Sequence, residues 1–347
     1  MATLWTDVID PATLTGYVRQ SMADYEASKG SLSVFLPNRT VPDIVARFTA
    51  GQSGLLDAAE YRSYDAETSI GGPPEAKRVT LELPPLGRKI RVSEYDQLRM
   101  RGTDQDELVL NSILNTAAVV GRAISDRAEV ARGAVINAGK AAINENGFIA
   151  EADFGRDASL TVTAATLWSV SASASPLTNL RLWADAMSDL NGDRPGAALM
   201  SSRVYNAMTT CAEFRALAAT TAGTPNIVTR EYVQQVLTSF NLPQVVVFDR
   251  KVRVAGTVQR VIPDNKVFLL PAPVDPNSAD GTDLGGTWWG QTLESMEPDY
   301  GVAAGEQPGV VVGAFKTKDP IGVWVHGAAI GLPVLANANL SLAATVL

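Results

Sequence analysis

Residues 104–144 contain no proline and carry an apolar stripe at helical spacing, which constrains the fold more than anything else in the chain. Leu110, Ile113, Leu114, Ala117, Ala118, Ile124, Ala128, Ala131, Val135 and Ala138 supply that stripe. Arg122, Asp126, Arg127, Glu129 and Arg132 are assigned to other faces. Thr103 or Asp104 can cap the start, and the acidic first turn suits the helix dipole. Asn146-Gly147 is expected to stop the helix. About 40 residues at 1.5 Å each predict a rod of roughly 60 Å, long for a globular domain. Gly121, Gly133 and Gly139 lower helix propensity and allow a kink or an earlier end.

What precedes this helix cannot be a core by itself. Leu14, Val18, Met22 and Tyr25 predict one amphipathic helix over about 11–28. Ser33 to Pro37 and Val41-Pro42 read as extended chain. Farther on, Val79, Leu81 and Leu83 alternate with Arg78, Thr80 and Glu82, and Ile90 and Val92 with Lys89, Arg91 and Ser93. Period two on both sides of Pro84-Pro85-Leu86-Gly87 predicts a β-hairpin. Gly71-Gly72-Pro73-Pro74 marks a bend before it. A lone hairpin is marginal in water, so a charged one is expected to lie on a partner subunit.

Beyond the helix, short strands and helices alternate. Strands are expected at 160–163, 197–200, 245–248 and 267–270, and helices after Ser175-Pro176 and Thr229. The second helix turns Val233, Val236, Leu237 and Phe240 inward. Residues 150–270 therefore read as one mixed α/β unit. The end is β-rich, with strands at 288–294, 310–312, 323–325 and 340–346.

The 347 residues are 46% hydrophobic and 19% charged, enough for a substantial core. Net charge is −8 and the pI is near 4.9. Phosphate neutralisation needs clustered Lys and Arg, so nucleic-acid binding is not expected as a primary activity. An acidic chain could still line a DNA container. Met1 to Val8 has no signal-peptide pattern, and no unbroken apolar run approaches the ~20 residues of a membrane span. The chain is expected to be made in the cytoplasm.

Catalytic machinery is hard to assemble from these residues. His326 is the only histidine and Cys211 the only cysteine, so neither an intrachain disulfide nor a usual zinc site can be built. Both are expected to be structural, Cys211 as a buried thiol in a small apolar helix. No Walker A loop and no G-x-G-x-x-G occurs. Trp288-Trp289 is expected to put one ring in the core and one at an interface. No catalytic, cofactor or metal residue is assigned.

The order of arm, charged hairpin, long helix, α/β unit and returning β segment resembles the tailed-phage major capsid fold, the Hong Kong ninety-seven type. Leu36-Pro37-Asn38-Arg39-Thr40-Val41, the run Asp65 to Arg101 and Gly331-Leu332-Pro333-Val334-Leu335 look most like its lambda-type branch, the phage major capsid protein E family. The resemblance implies an α+β fold with an N-terminal arm at 1–54 and an extended loop at 55–103. It implies a peripheral domain at 104–149 and 286–335, and an axial domain at 150–285 and 336–347. It further implies hexamers and pentamers forming an icosahedral shell for double-stranded DNA, held without sequence-specific binding. A separate scaffolding protein, a portal, a maturation protease and, in some shells, a decoration protein would be its partners; no cofactor and no membrane would be involved. Intersubunit contacts are expected at Lys77, Arg78, Glu82, Arg88, Lys89 and Arg91. An encapsulin-like compartment shell would share the fold. A hydrolase depending on His326 and a monomeric ligand-binding protein are the readings from other classes.

Overall fold

The computed structural model describes residues 3–50, 77–92, 105–145, 148–221, 223–278, 281–318 and 321–347. Thr103, Asp104 and the Gly71–Pro74 bend lie outside them, as do Asn146 and Gly147. After β1 (Thr3–Leu4), Asp10 caps α1 (Pro11–Lys29): its carboxylate accepts from the Thr13 N–H at 3.2 Å, and Pro11 opens the helix. Leu14 and Val18 are fully buried on the inner face of α1. The chain then forms β2 (Asn38–Thr40), β3 (Val45–Ala50), β4 (Lys77–Glu82) and β5 (Pro85–Val92).

The alternation at 77–92 does give two strands, but they do not pair with each other. β4 pairs antiparallel with β3, Thr49 opposite Arg78. The other strand, β5, pairs with a late strand, Val92 opposite Val323 and Pro85 opposite Ile330. A tight hairpin turn wants positive φ at its centre, whereas proline fixes φ near −65°. Pro84-Pro85 is therefore a crossing point rather than a turn. Leu83 and Val92 accordingly enter two different cores.

The long helix, α2, spans Gln105–Ala138, about 51 Å. It stops short of residue 144 because Gly139 takes φ +68° and returns its N–H to Val135 O at 2.8 Å, a left-handed C-terminal stop. Residues beyond it form β6 (Lys140–Glu145), antiparallel to β7 (Phe148–Asp153). The half-buried Arg156 guanidinium donates to Ile136 O and Asn137 O at the helix end, where a cation suits the dipole. Burial pushes its pKa down to about 10. Two glycines that weaken the helix are places of close approach. A β-carbon at Gly121 would stand 2.6 Å from Val18 of α1, and one at Gly133 would strike Val261 O. By length and composition α2 could cross a membrane, which a search for an unbroken apolar run overlooks. Its apolar face is instead covered by α1, β5 and the sheet behind them.

The middle of the chain gives β8 (Thr161–Thr163), α3 (Pro176–Asn191), β9 (Ala197–Met200), α4 (Ser202–Thr210), α5 (Ala212–Leu217) and α6 (Arg230–Ser239). Then come β10 (Gln244–Val247), β11 (Lys251–Val254), β12 (Thr257–Arg260) and β13 (Lys266–Leu270). Thr229 caps α6 as expected. Ser175 makes no cap bond; Glu213 instead accepts from the Leu177 and Thr178 N–H groups. Phe240 follows the C-terminus of α6 and is 43% exposed rather than inward. The end supplies β14 (Gly285–Gly290), the short α7 (Leu293–Met296), β15 (Val311–Lys318), β16 (Ile321–Leu335) and β17 (Leu342–Thr345). The strand expected to reach residue 294 ends at Gly290, because Thr292 and Ser295 form a capping box that starts α7.

Two mixed sheets organise the described residues. One has order β1-β15-β16-β14-β2, with β5 also on β16; the other has order β10-β9-β13-β17-β8. The second is buried on both faces. Ala198, Met200, Val267 and Leu269 face α3–α6, whereas Ala197, Leu199, Phe268 and Leu270 face a core shared with β14, β16 and the end of α2. Double burial explains why these strands read as unbroken apolar runs. A third core joins α1 and α2 to the first sheet.

Proline at Ala117, fully buried in α2, should destabilise the subunit by about 3 kcal/mol or more in chemical denaturation. Ile113→Asp should be comparably damaging, since it buries an unpaired charge. Val119→Asp, on the half-exposed face of the same helix, should stay within about 0.5 kcal/mol of the parent.

Candidate assembly surfaces

The six residues expected at intersubunit contacts fall on two separate strands. Lys77 and Arg78 start β4; their backbone pairs with Ala50 and Thr49, and their side chains lie outside the described set. Glu82 is exposed at the other end of β4. Arg88, Lys89 and Arg91 are exposed on β5, the outermost strand beside β16. The register sets Lys89 opposite His326 and Arg91 opposite Trp324. Lys89 Nζ lies 4.8 Å and Arg91 Cζ 5.9 Å from the Trp324 ring centre, a double cation–π contact. Phe315 lies across from Trp324 on β15, and its ring tilts toward His326 at 6.3 Å. The sequence shows the strands but not this register, so the aromatic neighbours were not foreseen.

A second functional feature is internal. Glu129 and Arg132 were assigned to other faces of the helix than the apolar stripe, yet both are fully buried. Glu129 accepts from the Leu32 N–H at 2.6 Å, from Ser31 Oγ at 2.8 Å and from Arg132 Nη1 at 3.0 Å. Arg132 also donates to Thr287 Oγ1 at 2.9 Å and to Asn38 Oδ1 at 2.8 Å. Asn38 in turn accepts from Trp289 Nε1. Arg250 joins from beyond β10, 2.9 Å from both Asp126 Oδ1 and Gly30 O, with its guanidinium over the Tyr25 ring. Glu26 approaches Arg132 at 3.6 Å and accepts from Ser125 Oγ. The network ties α1, α2, β2, β14 and the β10–β11 turn together. One sequence signal was present: Arg132 lies four residues after Ala128 and three before Val135, at the spacing of the stripe itself.

The remaining chemistry is quiet. Cys211 sits between α4 and α5, fully buried, its thiol 3.3 Å from Ala207 O; burial raises its pKa to about 11. His326 is half-buried on β16, opposite Lys89, with its ring 6.3 Å from that of Phe315. A cleft of about 650 Å³ opens between α1 and the segments around Pro276 and Pro308, with Glu26, Ser31 and Asn38 in its wall. Those groups are already engaged in the buried network. Trp288 packs against the core shared by the two sheets and Trp289 enters the core of α1 and α2, so the rings face opposite sides, but both go to cores rather than one to an interface as expected.

The family model described as phage major capsid protein E matches residues 39–346. The chain belongs to the phage major capsid protein E family. No curated protein matches it by sequence. Among solved structures, a protein assigned as the capsid protein of an E. coli CFT073 prophage superposes with a TM-score of 0.65 at 14% identity, over 100% of both chains. A phage-related protein from Bordetella bronchiseptica gives 0.57 at 11% identity, over 97% of each. At such identity the likeness establishes the fold: an α+β capsid fold with a long spine helix. Membership of a capsid family makes the chain a shell component of a virion.

Breaking the buried network should be costly. Glu129→Gln or Arg132→Gln alone should lower unfolding free energy by about 3–5 kcal/mol, because each leaves a buried charge without its partner. The double variant should cost less than the sum of the two, and a double-mutant cycle in urea measures the difference.

Proposed function

We propose that this chain is a major capsid protein that assembles as hexamers and pentamers into an icosahedral shell around double-stranded DNA. The family match over residues 39–346 carries the reading. A paired ribbon supports it: among the described residues β3 and β4 pair only with each other, and residues 51–76 lie between them in sequence. A ribbon without a sheet of its own gains stability by lying on a neighbour.

In this reading residues 1–54 are the N-terminal arm and 55–103 the extended loop. Residues 104–149 with 286–335 form the peripheral domain around α2. Residues 150–285 with 336–347 form the axial domain around the five-stranded sheet. The pairing of β5 with β16 makes the base of the loop part of the peripheral sheet. Lys77, Arg78, Glu82, Arg88, Lys89 and Arg91 serve intersubunit contacts. A scaffolding protein, a portal and a maturation protease act during assembly in the host cytoplasm, and a decoration protein can cover threefold positions. The net charge of −8 limits sticking between wall and DNA. The chain acts by geometry and not by catalysis.

No covalent crosslink is expected between subunits. Of the two lysines in the proposed loop, Lys77 and Lys89, the side chain of Lys89 rests on Trp324. Asn337 is buried, and Asn339 uses its amide oxygen to accept from the Asp157 N–H. Denaturing electrophoresis of mature particles should give one band near 36.8 kDa, and a ladder of multimers would overturn this. Particles should loosen as salt rises, because exposed ion pairs are screened. Replacing residues 50–77 by a two-residue Asn-Gly turn should leave the melting temperature within a few degrees (about 1 kcal/mol) yet abolish closed particles in electron micrographs. Normal particles from that variant would remove the ribbon from the assembly.

A further inference from the structure

One face of the first sheet carries both halves of a charge contact. On β5 and β16, Lys89 and Arg91 flank Trp324. Two strands over, the same face is covered by the segment that follows β14. A β-carbon at Gly313 would meet the Tyr300 ring at 2.9 Å, and Gly313 pairs with His326, which pairs with Lys89. At about 4.8 Å per strand, Tyr300 therefore stands roughly 10 Å from the Lys89 backbone. Just before Tyr300, α7 and its exit carry Glu294, Glu297 and Asp299; burial pushes the Tyr300 phenol up to about 12, and Glu294 and Glu297 lie close enough to add to it. The same turn holds out Leu293, 76% exposed, and Met296, 49% exposed.

Among the described residues none of these charges has an ion-pair partner: not Lys89, not Arg91, not Glu294, Glu297 or Asp299. Cations on an apolar platform thus lie beside acids on an apolar knob. The two cannot stack on each other within one subunit, because they share a face. A second copy rotated about an axis through that face can present its acidic turn to the cationic platform of the first.

We propose that this face is a self-complementary contact between copies of the chain, residues 293–299 of one copy docking on Lys89, Arg91 and Trp324 of the next. Carboxylates meet the two cations, and Leu293 and Met296 cover the indole. Charge complementarity of this kind sets orientation and register as much as affinity. The inference rests on the shell reading and assigns one of its contacts.

A charge exchange tests it. Lys89→Glu/Arg91→Glu and, separately, Glu294→Lys/Glu297→Lys are compared with the wild type for particle yield by light scattering and electron microscopy, with thermal melting as the control for folding. Each pair should cut the yield at least about tenfold at unchanged melting temperature, and the variant with all four changes should recover to within a few-fold of wild type. A quadruple variant no better than either pair, or pairs that assemble normally, would overturn the contact. Normal particle yield with reduced DNA content in the Lys89/Arg91 variant would assign the patch to nucleic acid and also overturn it. A wild-type chain that never passes beyond monomer would instead sink the shell reading itself.

Discussion

The arrangement of this subunit depends on two charges that α2 carries inside the protein. Glu129 and Arg132 lie one turn apart and are fully buried. A buried ion pair is tolerated only when its remaining lone pairs and protons are satisfied. Here they are satisfied by parts of the chain far apart in sequence: Ser31 and Leu32 after α1, Asn38 on β2, and Thr287 on β14. Each donor or acceptor has one direction, so the network admits one arrangement of these segments. Apolar packing around α2 stabilises many nearby arrangements about equally, because it has no direction.

The rest of the core builds outward from that fixed centre. The second sheet is apolar on both faces, so it separates a core under α3–α6 from one shared with β14 and β16. That shared core couples the two sheets through packing at interior density, which resists deformation. Gly133 lets the chain at Val261 approach α2, and Gly121 does the same for α1. At those positions the helix gives up propensity for contact. The β3–β4 ribbon enters this core at its base, through Ala46 and Leu83, and no further strand is paired to either member among the described residues. A stiff body with a ribbon attached by two strands is the division of labour that a tiling subunit requires.

Much of this was legible in the sequence, wherever one segment contained its own answer. The stripe of α2, the cap at Thr229 and the apolar runs of β9 and β13 are local signals. Pairing is not local. The alternation in β4 and β5 specifies strands with one apolar face, and any strand presenting the complementary edge could partner them. Pro84-Pro85 argued against a tight turn and was outweighed by the period. The end of α2 was misjudged because residues 140–145 continue without proline, while the stop lay in the φ of Gly139. Arg132 was read as a charge and therefore placed outside, although its spacing put it on the stripe. Residue type and position disagreed there, and the disagreement marked the one place where the helix was not an ordinary core helix.

That conflict also bears on function. A shell made of identical contacts closes only if the rotation between neighbours is fixed; an interface that permits a slightly different rotation yields open filaments instead. Angular error in the contact is set by the flexibility of whatever carries it. β5 and β16 hold the cationic platform, and the segment after β14 holds the acidic turn. β14 and α2 meet at Thr287 and Arg132, inside the buried network, and β16 is hydrogen-bonded to both β14 and β5. The proposed contact surfaces are thus within two strands of a centre whose geometry is dictated by direction rather than by fit. Replacing such a centre by apolar residues often raises stability elsewhere in proteins. What it would forfeit here is the directional constraint, and a shell subunit is selected for angle as well as for free energy of folding.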